Sequence, residues 1–177
     1  MNPIVEQLTR SLSSAPIVSP TRRNHALEHA TMSILSSRFP GVRMAGLSSA
    51  GGFALLADLP TEIVTDAVLE AQARLKAGEG HLAVHPNCGT NLMTSSLVAG
   101  TAAFLAIWGL SGTRKPRWWN YLLSVMVAVP AFIFSRPLGP KVQKVVTTDP
   151  DLGPTQVKMV RSQKAGQGYL HLISTGR

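Results

Sequence analysis

The chain has 177 residues, a formal net charge of +8, 45% apolar residues and 15% charged residues. This length suits one domain with attachments and excludes two full domains, and the apolar content excludes a disordered basic tail. A basic, apolar protein indicates a lipid bilayer as partner, and we expect no nucleic-acid partner because no basic stripe is interleaved with aromatic residues. The single cysteine, Cys88, excludes an intramolecular disulfide and fits a reducing compartment or a thiolate ligand.

Residues 1–19 are predicted to be an N-terminal segment without a secretory signal, because prolines and Glu6 interrupt its apolar residues. Ser19 and Pro20 are typical of a helix N-cap and first helical residue. A Pro-Gly pair then predicts that this helix ends near Arg38.

This first helix contains the sequence H-A-L-E-H, with histidines at positions 25 and 29. Histidines with this spacing project about 40° apart on a helix, and Glu28 lies within one turn of both. Imidazole binds zinc and ferrous iron well, and a glutamate beside such an ion can transfer protons. The order H-x-x-E-H is the inverted zincin motif. The alternative is two helix histidines that are hydrogen-bonded to neighbouring carbonyls.

Strand-like segments surround a second helix. Residues 42–47 and 52–58 are predicted strands joined by a Gly-rich turn, a Pro-led helix follows to about Lys76, and residues 81–85 are a predicted short strand. This order predicts an α+β fold with a mostly antiparallel sheet and packed helices, and residues 20–91 form its metal-binding region.

A transmembrane hairpin is predicted to interrupt this fold. Residues 92–110 carry no charge and at 1.5 Å per residue span about 28 Å, close to the hydrocarbon thickness of a bilayer. A second apolar run, residues 118–134, begins with Trp118 and Trp119, which are typical of an interfacial aromatic belt. The hairpin is therefore assigned to residues 92–138.

The distribution of basic residues predicts the orientation of this hairpin. Five lie in the two flanks and three in the connecting loop: Arg74, Lys76, Arg136, Lys141 and Lys144 against Arg114, Lys115 and Arg117. The positive-inside rule then places both flanks in the cytoplasm. We expect an integral protein of a bacterial inner or cytoplasmic membrane whose soluble parts are cytoplasmic.

Residues 139–177 are predicted to return to the α+β domain as strands. Segments 142–147, 156–161 and 168–174 have strand-like patterns, and the last is expected to pair with the N-terminal sheet. His171 alternates with apolar neighbours and is predicted to lie on the surface of that strand.

Cys88 is the third expected ligand, because thiolate binds zinc or ferrous iron as readily as imidazole does. The H-A-L-E-H helix, the Gly-Gly-Phe segment at 51–53, a Pro-led helix and the N-C-G-T loop at 87–90 occur in this order. Residues 22–91 thereby resemble S-ribosylhomocysteine lyase, and pitrilysin-type peptidases share the inverted motif and underlying fold. The signature is also similar to that of an uncharacterised family of bacterial two-helix membrane proteins.

The resemblance implies that His25, His29 and Cys88 bind zinc or Fe(II) and that Glu28 is the general acid/base. In the lyase a catalytic cysteine precedes the Gly-Phe pair, and the equivalent position here is Ser49. A serine hydroxyl does not titrate near neutral pH, so the lyase's own reaction is not expected.

These residues predict a membrane-anchored, metal-dependent hydrolase or lyase-like enzyme with a small or amphiphilic substrate. One alternative is a non-catalytic, metal-stabilised membrane protein that assembles or anchors a larger complex, and another is a metal or cofactor carrier. Ser49 favours the non-catalytic alternative, whereas Glu28 favours the enzyme. The lyase builds its site at a dimer interface, so a homodimer is expected by analogy. His85 is expected to support the site rather than to bind the ion.

Overall fold

The computed structural model describes residues 17–112, 115–166 and 168–177. Most of the predicted N-terminal segment, residues 1–16, lies outside these ranges. The chain divides into two compact units, of which the first comprises Met1–His85 with Lys144–Arg177 and the second comprises Pro86–Gln143.

The first unit is built on a four-stranded antiparallel sheet with the strand order β1-β2-β4-β3. Its elements are α1 (Val18–Arg38), β1 (Met44–Ser49), β2 (Gly52–Ala57), α2 (Thr61–Lys76), a 3-10 turn (Gly80–Ala83), all but the first residue of a π-helical segment (Gln143–Thr147), β3 (Gln156–Ala165) and β4 (Gly168–Gly176). The α+β class and the antiparallel sheet are as the sequence predicts. The last strand, β4, pairs with β2 and so joins the N-terminal sheet, as the sequence predicts.

Helix α1 lies at the centre of the first unit, where it packs against α2, β1, β2 and the 3-10 turn. The apolar side chains Leu27, Ala30 and Ile34 of α1 are buried, together with Phe53 and Leu55 from the inner face of β2. Full burial of each large side chain is worth about 1.5–3 kcal/mol. The helix that carries both candidate histidines is therefore also the main core element, which fixes its position.

Two predicted strands are helical instead. In residues 81–85 the buried Leu82 and Ala83 belong to the 3-10 turn, which packs against α1 rather than pairing with the sheet. Residues 142–147 fall at the end of a short α-helix and in the π-helical segment. The side chain of Arg22 on α1 donates to the carbonyls of Val145 at 3.0 Å and Thr148 at 2.9 Å. Side chains of α1, rather than a strand partner, thus satisfy these carbonyls.

The second unit contains two long apolar helices, α3 (Gly89–Ser111) and α4 (Trp118–Ser135), followed by the short α5 (Leu138–Val142). Both long helices are long and apolar enough to cross a membrane, and they pack against each other. The side chain of Asn120 is buried in this pair and donates a hydrogen bond to Ser111 Oγ at 2.8 Å.

The imidazole of His171 is fully buried on the inner face of β4, so its predicted surface position is wrong. His171 lies in register with Leu55 of β2 and Ser162 of β3. Successive side chains of a strand point to opposite faces, so His171 points to the inner face of the sheet and its neighbours Leu170 and Leu172 point to the outer face. Neither ring nitrogen makes a well-aligned hydrogen bond. Burial lowers the pKa of His171, and nearby backbone groups act weakly in the opposite direction.

This burial makes the stability of the protein depend on pH. The folded protein favours the neutral ring of His171. The contribution of this ring to the free energy of unfolding is therefore complete above the ordinary pKa of 6.5 and is lost as pH falls through the lower pKa of the folded state. The loss is at most about 1.4 kcal/mol per pH unit for one proton. We expect His171→Leu to flatten the fall in unfolding temperature between pH 7 and pH 5. Equal slopes for the variant and the wild type would contradict this assignment.

Candidate metal centre

The two histidines of the H-x-x-E-H motif lie side by side on α1. The ring centroids of His25 and His29 are 4.2 Å apart, with a tilt of 59° between the ring planes. His29 is buried and His25 is half-buried. The spacing of four residues on a helix therefore brings two imidazoles together, as the sequence predicts.

Each of these rings is held through its Nδ1 atom by a backbone carbonyl from outside the helix. His25 Nδ1 lies 3.0 Å from the carbonyl oxygen of Thr147, and His29 Nδ1 lies 2.8 Å from that of Ala83. A carbonyl can only accept, so Nδ1 carries the proton and donates it in both rings. The tautomer set by these bonds leaves the lone pair on Nε2, the nitrogen through which an imidazole of this tautomer can bind a metal ion.

Glu28 is also buried, and its carboxylate lies against β1. Ser48 Oγ donates a hydrogen bond to Oε2 of Glu28. Gly46 lies beneath the same carboxylate, where a Cβ atom would overlap Oε1. Residues 46 and 48 point to the same face of the strand, so β1 holds the carboxylate from one side.

Ser49, the predicted counterpart of the lyase cysteine, occupies a different environment from Ser48. Its Oγ donates to the carbonyl of Gly52 at 3.2 Å, and its own carbonyl accepts from Asn24 Nδ2 at 2.8 Å. Thr175 Oγ donates to Asn24 Oδ1 at 2.8 Å, so this buried asparagine joins α1 to the β1–β2 turn and to β4. The hydroxyl that contacts Glu28 is thus that of Ser48.

Sequence reasoning missed Gly46, Ser48 and Asn24. A glycine in the middle of a strand signals a close approach by another group, and alternation along β1 then places Ser48 on the same face as Gly46. No comparable signal marks Asn24, because its bonds run to Ser49 and Thr175 in distant parts of the chain.

His85 lies next to His29 in the first unit. It is buried, and the two ring centroids are 5.9 Å apart. His81, in the 3-10 turn, is exposed. The position of His85 fits the supporting role predicted for it.

Cys88 belongs to the second unit, where it is the N-cap residue of α3. Its Sγ accepts a hydrogen bond from the backbone N–H of Thr90 at 3.4 Å. This donor and the positive end of the helix dipole stabilise negative charge on sulfur, which is the form that binds metals. Asn91, in the first turn of α3, donates from Nδ2 to the carbonyl of Pro86 at 2.7 Å.

The contact between β1 and Glu28 leads to a stability prediction. Gly46→Ala should lower the free energy of unfolding by about 1–3 kcal/mol, because the added methyl group displaces a buried carboxylate. Gly51→Ala is the matched control, since a Cβ there would meet no atom within 4 Å. Thermal unfolding in detergent measures both, and equal stability of the two variants would contradict the close approach of Glu28 to β1.

Comparison with known proteins yields one family and one similar chain. No solved structure matches this chain. An uncharacterized protein of Picosynechococcus sp. is 32% identical over 136 residues, which are 72% of this chain and 65% of that relative, so the chain matches just under two thirds of its length. The family model described as a domain of unknown function, DUF6391, matches residues 20–160. This match includes all but the first two residues of α1, with Glu28, both helix histidines and Cys88, and the chain therefore belongs to the DUF6391 family.

Proposed function

We propose that this protein is a membrane-anchored metalloenzyme of the hydrolase or lyase-like type. Its ion, zinc or ferrous iron, would be held by His25, His29 and Cys88, which offer one ligand atom each. Glu28 would be the general acid/base. The observation that carries the proposal is the pair of carbonyl bonds at Nδ1, which prepare both helix imidazoles as Nε2 ligands.

The covalent chain supports Cys88 as the third ligand. His85 lies beside His29, and Cys88 follows His85 by three residues. At about 3.8 Å per Cα step, the Cα of Cys88 stays within roughly 11 Å of that of His85 whatever the arrangement of the two units. A thiolate stabilised at a helix N-terminus is also a suitable partner for two imidazoles.

The chemistry of the donor set fits zinc or ferrous iron. Two nitrogens and one sulfur suit these borderline ions, and three protein ligands are typical of catalytic sites, whereas structural zinc sites have four. When bound, such an ion supplies Lewis acidity toward a substrate oxygen.

Glu28 is suited to moving a proton at this site. It is next to His29 in sequence, and one of its oxygens accepts from Ser48, which fixes the plane of the carboxylate. The other oxygen, Oε1, lies above Gly46. A carboxylate held in this way can take a proton from a substrate group and return it without large movement of the side chain.

The two apolar helices support membrane anchoring. At 1.5 Å per residue, the 23 residues of α3 and the 18 of α4 are about 34 Å and 27 Å long, close to the thickness of the hydrocarbon core. Most of their large apolar side chains are exposed, including Leu97, Phe104 and Val125. We propose that they form a hairpin in a bacterial inner membrane with both flanks in the cytoplasm, and that the substrate is small or amphiphilic.

A non-catalytic, metal-stabilised protein that anchors a larger complex is the second candidate. The hydroxyl of Ser49 favours it, because this group replaces the lyase's thiol and is bound to the carbonyl of Gly52 within the β1–β2 turn. The buried Glu28 favours the enzyme, since a purely structural site needs no base.

Metal analysis tests the ligand set. Anaerobically purified protein should contain about one zinc or iron ion per chain, as expected for a single three-ligand site. His25→Ala, His29→Ala and Cys88→Ser should each lose most of it, because each removes one ligand. His81→Ala is the matched control and should keep its metal. Full occupancy in Cys88→Ser, or loss in His81→Ala, would contradict the assignment.

Replacement of Glu28 separates the enzyme from the scaffold. Glu28→Gln should keep fold and metal content, because the amide has the same shape and its oxygen still accepts from Ser48. Function should fall by about 10²–10⁴-fold, because an amide cannot serve as the base. The measurement is rescue of a gene-deletion strain by the variant at wild-type protein level. Full rescue would decide against catalysis and in favour of the scaffold.

A further inference from the structure

The second unit contains a groove of about 420 Å³ between the first turns of α3 and the end of α4. Polar groups from the start of α3, including Cys88 and Asn91, line one part of it. Leu92 and Phe132 line another part, and Arg136 completes the wall directly after the last residue of α4. The groove therefore combines a polar region, an apolar region and a cation.

Apart from the thiolate proposed for Cys88, the charged side chains of this unit are all positive. Its sequence, Pro86–Gln143, contains no aspartate or glutamate. Its five basic residues are Arg114, Lys115, Arg117, Arg136 and Lys141. An acidic side chain of the same unit is thus not available to neutralise Arg136, and an anion from outside the chain would be attracted to it.

Two features of the groove favour an anion at the same place. The N-terminus of α3 supplies the positive end of a helix dipole of 23 residues. The exposed guanidinium of Arg136 supplies a full charge and a planar set of donors that matches the oxygens of a phosphate group. A phosphate group satisfies both features at once.

The apolar wall selects an amphiphile over a free ion. Leu92 is 62% exposed, and Phe132 lies one turn before Arg136 on α4. Both side chains belong to the helices that are long and apolar enough to cross a membrane. A hydrocarbon chain can therefore continue from the groove along the same helices, whereas inorganic phosphate gains nothing from this surface.

We propose that this groove binds an anionic phospholipid, with the phosphate group at Arg136 and the N-terminus of α3 and with an acyl chain along Leu92 and Phe132. The inference that this lipid type represents the substrate class rests on the proposed function, in which Cys88 of the same groove is a metal ligand. Binding of the lipid itself requires no metal.

The test uses the full chain in an uncharged detergent, with and without a metal chelator. Native mass spectrometry is used to titrate phosphatidylglycerol, phosphatidylcholine and inorganic phosphate. Arg136→Gln is compared with Lys141→Gln, which removes the same charge from a residue of this unit that does not line the groove. Arg136→Lys retains the charge, and circular dichroism checks the fold of each variant.

We expect one phosphatidylglycerol per chain at low lipid concentration, with or without chelator, and weaker binding of phosphatidylcholine. Arg136→Gln should lower the affinity for phosphatidylglycerol by about 10–100-fold, as expected for a lost charge-assisted contact. Lys141→Gln should stay within about twofold of wild type because surface charges contribute little, and Arg136→Lys should bind more tightly than Arg136→Gln. If the purified protein contains no metal and still binds phosphatidylglycerol with or without chelator, the lipid site is supported and the proposed metal-dependent enzyme is refuted.

Three outcomes would overturn the proposal. Equal losses in Arg136→Gln and Lys141→Gln would show general electrostatic attraction instead of a site. Inorganic phosphate that binds as tightly as phosphatidylglycerol would show a free-anion site. Equal affinity for phosphatidylcholine and phosphatidylglycerol would show that the negative charge is not recognised.

Discussion

The two hydrogen bonds at the Nδ1 atoms of His25 and His29 are the interactions on which the site depends. Their acceptors, the carbonyls of Thr147 and Ala83, lie 122 and 54 residues away in sequence. The 3-10 turn and the π-helical segment present these carbonyls to α1. Both segments must pack against the helix before its two imidazoles are held in the tautomer that the proposed metal centre requires.

The sheet positions the carboxylate of Glu28 through the face of β1 that packs against α1. Gly46 leaves space for the carboxylate of Glu28, and Ser48 donates to it. Asn24 ties the β1–β2 turn to the same helix. The carboxylate is thus positioned by strand residues, while the histidines are positioned by carbonyls from irregular segments. Glu28 and the imidazoles are thus held by separate contacts, and the proposed role of Glu28 as a base that does not bind the ion requires this.

Much of the fold follows from local sequence. The Pro-led α2, the β1–β2 hairpin and the end of α1 at Arg38 each have turn or helix signals that act within a few residues. The His-x-x-Glu-His spacing likewise needs only helix geometry to bring the two rings to 4.2 Å.

Other features depend on contacts between distant segments, and the sequence patterns misled there. The β-branched residues of segment 142–147 are typical of a strand, yet the carbonyls in this region accept from Arg22 and His25 of α1. His171 alternates with leucines in β4, and alternation alone does not tell which face of the strand is inward. The buried β2 residues Phe53 and Leu55 lie on the same side of the sheet as His171, which shows that this side is the inner face.

X-ray absorption spectroscopy at the zinc or iron edge tests the ligand set most directly, because it counts sulfur and nitrogen neighbours of the ion. For zinc, two His ligands and Cys88 require about two nitrogens at 2.0–2.1 Å and one sulfur at about 2.3 Å. The sulfur contribution should disappear from any residual metal in Cys88→Ser. A wild-type spectrum with nitrogen and oxygen neighbours alone would contradict the assignment of Cys88 and, with it, the proposed metal centre.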